Sequence, residues 1–183
     1  VEKWHWIWIW MGEPARADEA LLPDWWWMSH PDWRVIKGDP VFHVKCDYQL
    51  VTDNLLDLSH LSFVHAGNIG TNAVAETPIK TDRLEDGVRM TRWIIDSPSP
   101  PMYRTLGRFT SNVDRWQIVE THVPTHTDVF AGCAVTGTGA PEGDRSQGVE
   151  FHNLNTVTPE TATTAHYFYA HARNFRQIGR AHV

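Results

Sequence analysis

Residues 54 to 65 read NLLDLSHLSFVH, placing His60 and His65 five apart and Asp57 three before the first. Two imidazoles and one carboxylate are the donor set of a non-haem ferrous site, where they occupy one face of an octahedron and leave positions open. The same residues also suit an amphipathic helix that simply carries two imidazoles, because a buried His commonly satisfies a carbonyl or carboxylate. Residues three apart share a helix face, so Asp57 and His60 can meet. Five residues turn an ideal helix to about 140° off the starting direction. His60 and His65 therefore converge only where the helix bends, widens or ends between them. Gly67 and Gly70 follow closely and favour a terminus near His65. Asn54 and Asp53 lie a turn earlier, and Leu55, Leu56, Leu58 and Leu61 supply the apolar surface.

The pattern predicts a helix from about Thr52 to Val64, preceded by a strand over Val41–Val51. Trp4 to Met11 alternates Trp with His, Ile and Met, which predicts a strand covered on both faces. Pro14 and Pro23 bracket a loop with at most a short helix. Trp25 to Trp27 need apolar partners, expected from another domain or subunit. Two strands follow, joined through Glu85, Asp86 and Gly87. Further strands are expected in MYRTLGRF, WQIVETHV, VFAGCAVTG, GVEFHNLNTVT and TATTAHYFYAHARNF. Turns fall at Pro100-Pro101, Pro124-Thr125, Gly139 to Gly143 and Pro159-Glu160. The expected fold is α+β, a curved antiparallel sheet wrapped around a central helix in a helix-grip-like manner.

At 183 residues, 42% hydrophobic and 21% charged, the chain reads as one soluble domain. The net charge of −6 includes no basic stripe, which argues against nucleic acid. No apolar run is long enough for a membrane span, and no signal peptide opens the chain, so a cytoplasmic setting is expected. Cys46 and Cys133 are expected as thiols. No GxGxxG, P-loop or GxSxG motif occurs. His122 and His126 flank Pro124 and suit a structural or pocket-lining role. His152 suits either a cavity wall or a strand cap. His166 and His171 would lie on opposite faces of one strand and share no metal. Asp144 and Arg145 need no function beyond solvation.

VTDNLLDLSHLSFVHAGNIG, preceded by CDYQ, resembles the mononuclear-iron motif of Rieske-type aromatic ring-hydroxylating oxygenase alpha subunits. The likeness is greatest to the vanillate and dicamba O-demethylase branch. IWIWMGEPARAD resembles the exit from the Rieske domain, and TPETATTAHYFYAHARNF a late strand of the same branch. The resemblance implies that His60 and His65 ligate Fe(II), that Asp57 bridges toward the cluster of a neighbouring subunit, and that Asn54 lies near the iron. It implies a third Asp ligand on a later helix, whereas only RQIGRAHV follows Phe175. It implies a [2Fe-2S] Rieske cluster, whose Cys-x-His and Cys-x-x-His ligands do not occur around Cys46 or Cys133. The implied division is 1–24 as the end of an N-terminal Rieske domain, 25–175 as a partial catalytic domain and 176–183 as an atypical tail. The intact protein would form a homo-trimer. It would take electrons from an NAD(P)H-dependent reductase and use O2 to demethylate a methoxybenzoate such as vanillate. This chain alone is expected to be inactive. The competing reading is a non-catalytic domain whose cavity binds a small aromatic ligand.

Overall fold

The computed structural model describes residues 1–37, 41–124 and 126–175. The long N-terminal strand does not form. Trp4 and His5 turn the chain with φ of 58° and 64°, so only β1 (Glu2–Lys3) pairs with β2 (Trp6–Ile7). Trp4, Trp6 and Trp8 pack inward, while Ile7 and Ile9 remain 80% and 75% exposed. The cover expected on both faces is one-sided.

The main sheet contains β3 (Arg34–Lys37), β4 (Phe42–Val44), β5 (Lys80–Arg83), β6 (Gly87–Ser97), β7 (Val113–His122), β8 (His126–Val135), β9 (Val149–Thr161) and β10 (Thr164–Arg173). Its order is β3-β10-β9-β8-β7-β6-β5, with β4 also pairing with β10, and all these pairings are antiparallel. The helices are α1 (Tyr48–Leu56), α2 (Leu61–Val64), α3 (Asn72–Glu76) and α4 (Pro101–Gly107). The α+β architecture is the expected one, with a helical layer on one face of the sheet.

Three boundaries differ from the sequence pattern. The first helix begins at Tyr48 because Asp47 caps it, its Oδ1 accepting from Gln49 N at 2.8 Å; the preceding strand is correspondingly short. MYRTLGRF is α4 rather than a strand. Pro101 suits a first helical turn, and Arg104 N donates to Pro100 O at 2.9 Å. Pro159 and Glu160 lie within β9 rather than in a turn.

The period-2 alternation of the long strands divides their side chains between two faces. Val119, Val129, Phe151 and Tyr169 line the helix side. Leu58, Leu61, Val74, Ile94 and Val119 form one buried cluster there. On the opposite face, Leu154, Ala170 and Ala172 pack with Trp25, Trp27 and Met28. The small alanines let indoles lie close to the β10 backbone. Trp25 and Trp27 are thus buried by their own chain, and only Trp26 of the three is exposed. By the usual cost of such truncations, Trp27→Ala destabilises by about 3–5 kcal/mol. Arg145, expected to serve solvation alone, lies 5.0 Å over the Trp116 ring and pairs with Glu150 at 3.3 Å. No helix among the described residues is long and apolar enough to cross a membrane.

Candidate metal centre and cavity

The predicted single helix is broken, and the break sets the histidine geometry. Asp57 leaves α1 with ψ of 83°, and its Oδ1 accepts from Ser59 N at 2.9 Å and from the Ser59 hydroxyl. Such local bonds compete with helix propagation. A single new turn then begins, with His60 at its start and His65 at its end. Val64 N donates to His60 O at 2.8 Å, and His65 N to Leu61 O at 3.2 Å. The two rings meet with centroids 5.4 Å apart. The chain folds back under α2 because His65 O collects the amides of Asn68, Ile69 and Gly70. A Cβ at Gly70 would stand 2.1 Å from Leu61 O, so this close return requires glycine.

The Nδ1 of His60 is bonded to the main-chain carbonyl of Asp57. A carbonyl only accepts, so Nδ1 carries the proton and Nε2 keeps its lone pair for a ligand. The carboxylate of Asp57 is therefore not the acceptor of this N–H, and its bonds run to Ser59. Those bonds, the hydroxyl first and the amide next, hold the Asp57 carboxyl below its ordinary value.

His60 and His65 border a cavity of about 490 Å³. Its apolar wall includes Leu58, Ile69, Val119, Val129 and Phe151, and its polar groups include Asn54, Asn153, Asn155 and His171. Asn54 thus lines the same cavity as the histidine pair, whereas Asp57 does not line it. Asp53 lines a neighbouring pocket of about 310 Å³ with His122 and His126, whose rings stack at 4.8 Å. His122 Nδ1 also lies 2.9 Å from Asp86 Oδ1. His152 is on the other face of the sheet, 4.1 Å ring to ring from Trp33. His171 reaches the cavity and His166 does not, as their odd spacing requires.

Two buried arginines were not singled out by sequence. Arg92 donates to Leu58 O at 3.3 Å and Gln117 Oε1 at 3.2 Å. Arg115 donates to Ile69 O at 2.8 Å. They hold carbonyls on either side of the His60–His65 segment. Burial, then the charge of Arg115, lowers the Arg92 pKa from its ordinary value. Arg115 also lies 5.3 Å over the Tyr103 ring, whose hydroxyl burial pushes up to about 12. Their only signal was a cation at alternating positions of apolar strands.

The donor chemistry fits part of a mononuclear iron site. Two imidazoles converge, and His60 has the right tautomer, but no carboxylate completes a trio with them among the described residues. A [2Fe-2S] cluster does not fit. Cys46 and Cys133 are free, and Cys133 is enclosed in β8.

A sheet of this order, with a broken helix aiming two imidazoles into an apolar cavity, has the fold of an oxygenase catalytic domain. Dicamba monooxygenase bound to dicamba superposes with a TM-score of 0.78 at 30% identity, covering 96% of this chain and 49% of that one. The profile of the family described as vanillate O-demethylase oxygenase C-terminal domain matches residues 44–182, and the chain belongs to that family. The iron-sulfur subunit of a toluene-4-sulfonate monooxygenase system from Comamonas testosteroni is 38% identical over 179 residues, 96% of this chain and 51% of the relative. A vanillate O-demethylase oxygenase subunit from Pseudomonas sp. (strain HR199 / DSM 7063) is 34% identical over 183 residues, 97% of this chain and 51% of the relative. The chain spans about half the length of these relatives.

Proposed function

We propose that this chain is the mononuclear-iron catalytic part of the oxygenase component of a Rieske-type aromatic monooxygenase. The observation that carries the reading is the meeting of the His60 and His65 rings at the wall of an apolar cavity. Family membership favours it over a non-catalytic ligand-binding domain. In this reading His60 and His65 hold Fe(II), with an Asp of a later helix as the third ligand. The iron, when bound, supplies reductive activation of O2.

The chain's own residues bind and orient. Leu58, Val119, Val129 and Phe151 take an aromatic ring and exclude water. Arg115, the one Lys or Arg in the wall among the described residues, complements an anionic substituent. Vanillate and toluene-4-sulfonate, named in the relatives, are both aromatic anions that carry a methyl carbon. The shared demand is to hold that carbon toward the histidine pair.

The substrate we favour is a methoxybenzoate such as vanillate. One oxygen atom of O2 enters its methyl carbon, and the resulting hemiacetal breaks into a phenol and formaldehyde. The second oxygen atom leaves as water, reduced by two electrons drawn from NAD(P)H through a reductase. Asp57, exposed at the helix break, lies on the proposed route from the [2Fe-2S] cluster of a neighbouring subunit in a homo-trimer. Asn54 helps position the iron surroundings. The proposed division keeps 1–24 as the exit from a Rieske domain, 25–175 as the catalytic part and 176–183 as a tail, in a cytoplasmic protein. This chain by itself turns over no substrate, since its sequence holds no Rieske ligand motif.

Anaerobic titration of metal-free protein with Fe(II) tests the assignment. Wild type should bind one equivalent more than His60→Ala or His65→Ala does. Equal binding by wild type and both variants would overturn it.

A further inference from the structure

On the sheet face opposite the cavity, three neighbouring strands each bring one metal-binding side chain to a single point. β4 and β10 pair His43 directly with His166, and their rings sit 5.1 Å apart. Glu160 arrives from β9 by way of a register shift. Pro159 opposes Ala165 and Thr161 opposes Thr164, so Glu160 is the extra residue between them. A bulge of this kind re-aims a side chain. Glu160 Oε2 lies 2.7 Å from His43 Nε2, and its Oε1 lies 3.6 Å from His166 Nε2. The three donor atoms all lie within 4.8 Å of one another.

We propose that His43, Glu160 and His166 form a binding site for a divalent transition cation of the zinc class, separate from the His60–His65 pair. Two imidazole nitrogens and one carboxylate oxygen, with water completing the shell, suit Zn²⁺ and its late first-row neighbours. Mg²⁺ and Ca²⁺ prefer oxygen donors throughout. A zinc ion sits ~2.0–2.2 Å from each such donor, which sets the donors roughly 3–3.5 Å apart. Small ring rotations at a partly exposed site reach that spacing. The cation replaces the direct contact between His43 Nε2 and Glu160 Oε2.

Two further features support the assignment. The Thr164 hydroxyl donates to Glu160 Oε2 at 2.9 Å and so orients the carboxylate. All three donors also stand on paired strands, which hold a site more firmly than loops do. The two sites do not interfere, because β10 sends His166 to one face and His171 to the cavity on the other.

The consequence is a clip on the shortest strand of the main sheet. β4 has three residues and, among the described residues, pairs with β10 alone. It leads almost directly to Asp47 and α1, the helix that carries Asn54. A cation shared by three strands fastens that entry, and it stabilises the folded state by mass action.

The test uses full-length protein carrying His60→Ala and His65→Ala, so that the cavity pair cannot contribute. Calorimetric titration with Zn²⁺ should show one more equivalent than the same protein with His43→Ala added. His166→Ala and Glu160→Gln should each weaken this equivalent by more than about tenfold, the scale at which even outer partners of a ligand count. Zn²⁺ should raise the melting temperature, Mg²⁺ should not, and the rise should vanish in the His43→Ala protein. His43 and Glu160 are exposed, so their variants test the site even where His166→Ala disturbs the strand. An unchanged zinc stoichiometry in the His43→Ala and Glu160→Gln proteins would overturn the proposal. So would equal stabilisation by Mg²⁺. Neither result bears on iron at the cavity, whose imidazoles are absent from this background.

Discussion

His60 and Asp57 are joined through the Asp57 main-chain carbonyl, while the Asp57 carboxylate turns to Ser59. One residue therefore acts through two groups. The carbonyl fixes the tautomer of a proposed iron ligand, and the carboxylate shapes the helix break that puts the carbonyl there.

This separation predicts different outcomes for two substitutions at Asp57. Asn keeps an oxygen for the Ser59 amide, so the break and the carbonyl should survive. Fe(II) affinity of Asp57→Asn should stay within about threefold of wild type, whereas Asp57→Ala should bind more weakly. Had the carboxylate held the imidazole, the Asn change would cost about 10–100-fold, the usual loss for such a partner. Anaerobic Fe(II) titration of the three proteins decides between these.

The sheet was legible because period-2 alternation runs long in β6 to β10, and the acidic turn before Gly87 joins β5 to β6 as expected. The histidine pair was legible as a motif, but its geometry was not. A break caused by Asp57 binding Ser59 leaves no mark on the hydrophobic pattern, so one helix was expected where two occur. The N-terminal alternation misled for a related reason. Backbone turns at Trp4 and His5 stop a strand whose side chains otherwise fit. His43 and Glu160 stand 117 positions apart, and only strand pairing and a bulge bring them together.

The Trp116–Gly132 cross-strand pair predicts a sharp size limit in the sheet. A Cβ at Gly132 would lie 2.2 Å from Trp116 Cζ2 and 2.5 Å from Val149 O. Trp116 has little room to retreat, with Trp93 at 5.7 Å and Arg145 stacked over it. Gly132→Ala should destabilise by about 1–3 kcal/mol, the usual cost of overpacking. A Cβ at Gly67 meets nothing within 4 Å, so Gly67→Ala should change stability by no more than about 0.5 kcal/mol. Urea unfolding of both variants provides the comparison.

The two thiols should differ in reactivity. Cys133 is fully buried, and burial raises its pKa to about 12, so almost no thiolate forms at neutral pH. Cys46 is only half-buried. Under native conditions a thiol reagent should label Cys46 and spare Cys133. Both should react in denaturant. Peptide mass spectrometry reads the result, and native labelling of Cys133 at the rate of Cys46 would contradict the packing of β8.

His171 should impose an acid-side loss of stability. Burial, then the charge of Arg173, lowers its pKa from 6.5, while its Nδ1 bonds to Asn153 Oδ1 in the cavity wall. Below pH 6.5 the unfolded chain therefore takes up a proton that the folded chain resists. The contribution is complete above the unfolded value and is lost as pH falls through the folded one. His171→Gln keeps an amide able to bond to Asn153 but cannot titrate. Between about pH 7.5 and about pH 5.5, a range that brackets the ordinary His value, the variant should lose less stability than wild type. Other titrating groups act in both proteins and cancel in the comparison. Equal losses in urea unfolding at the two pH values would mean that the imidazole is protonated as readily in the folded cavity as in the unfolded chain.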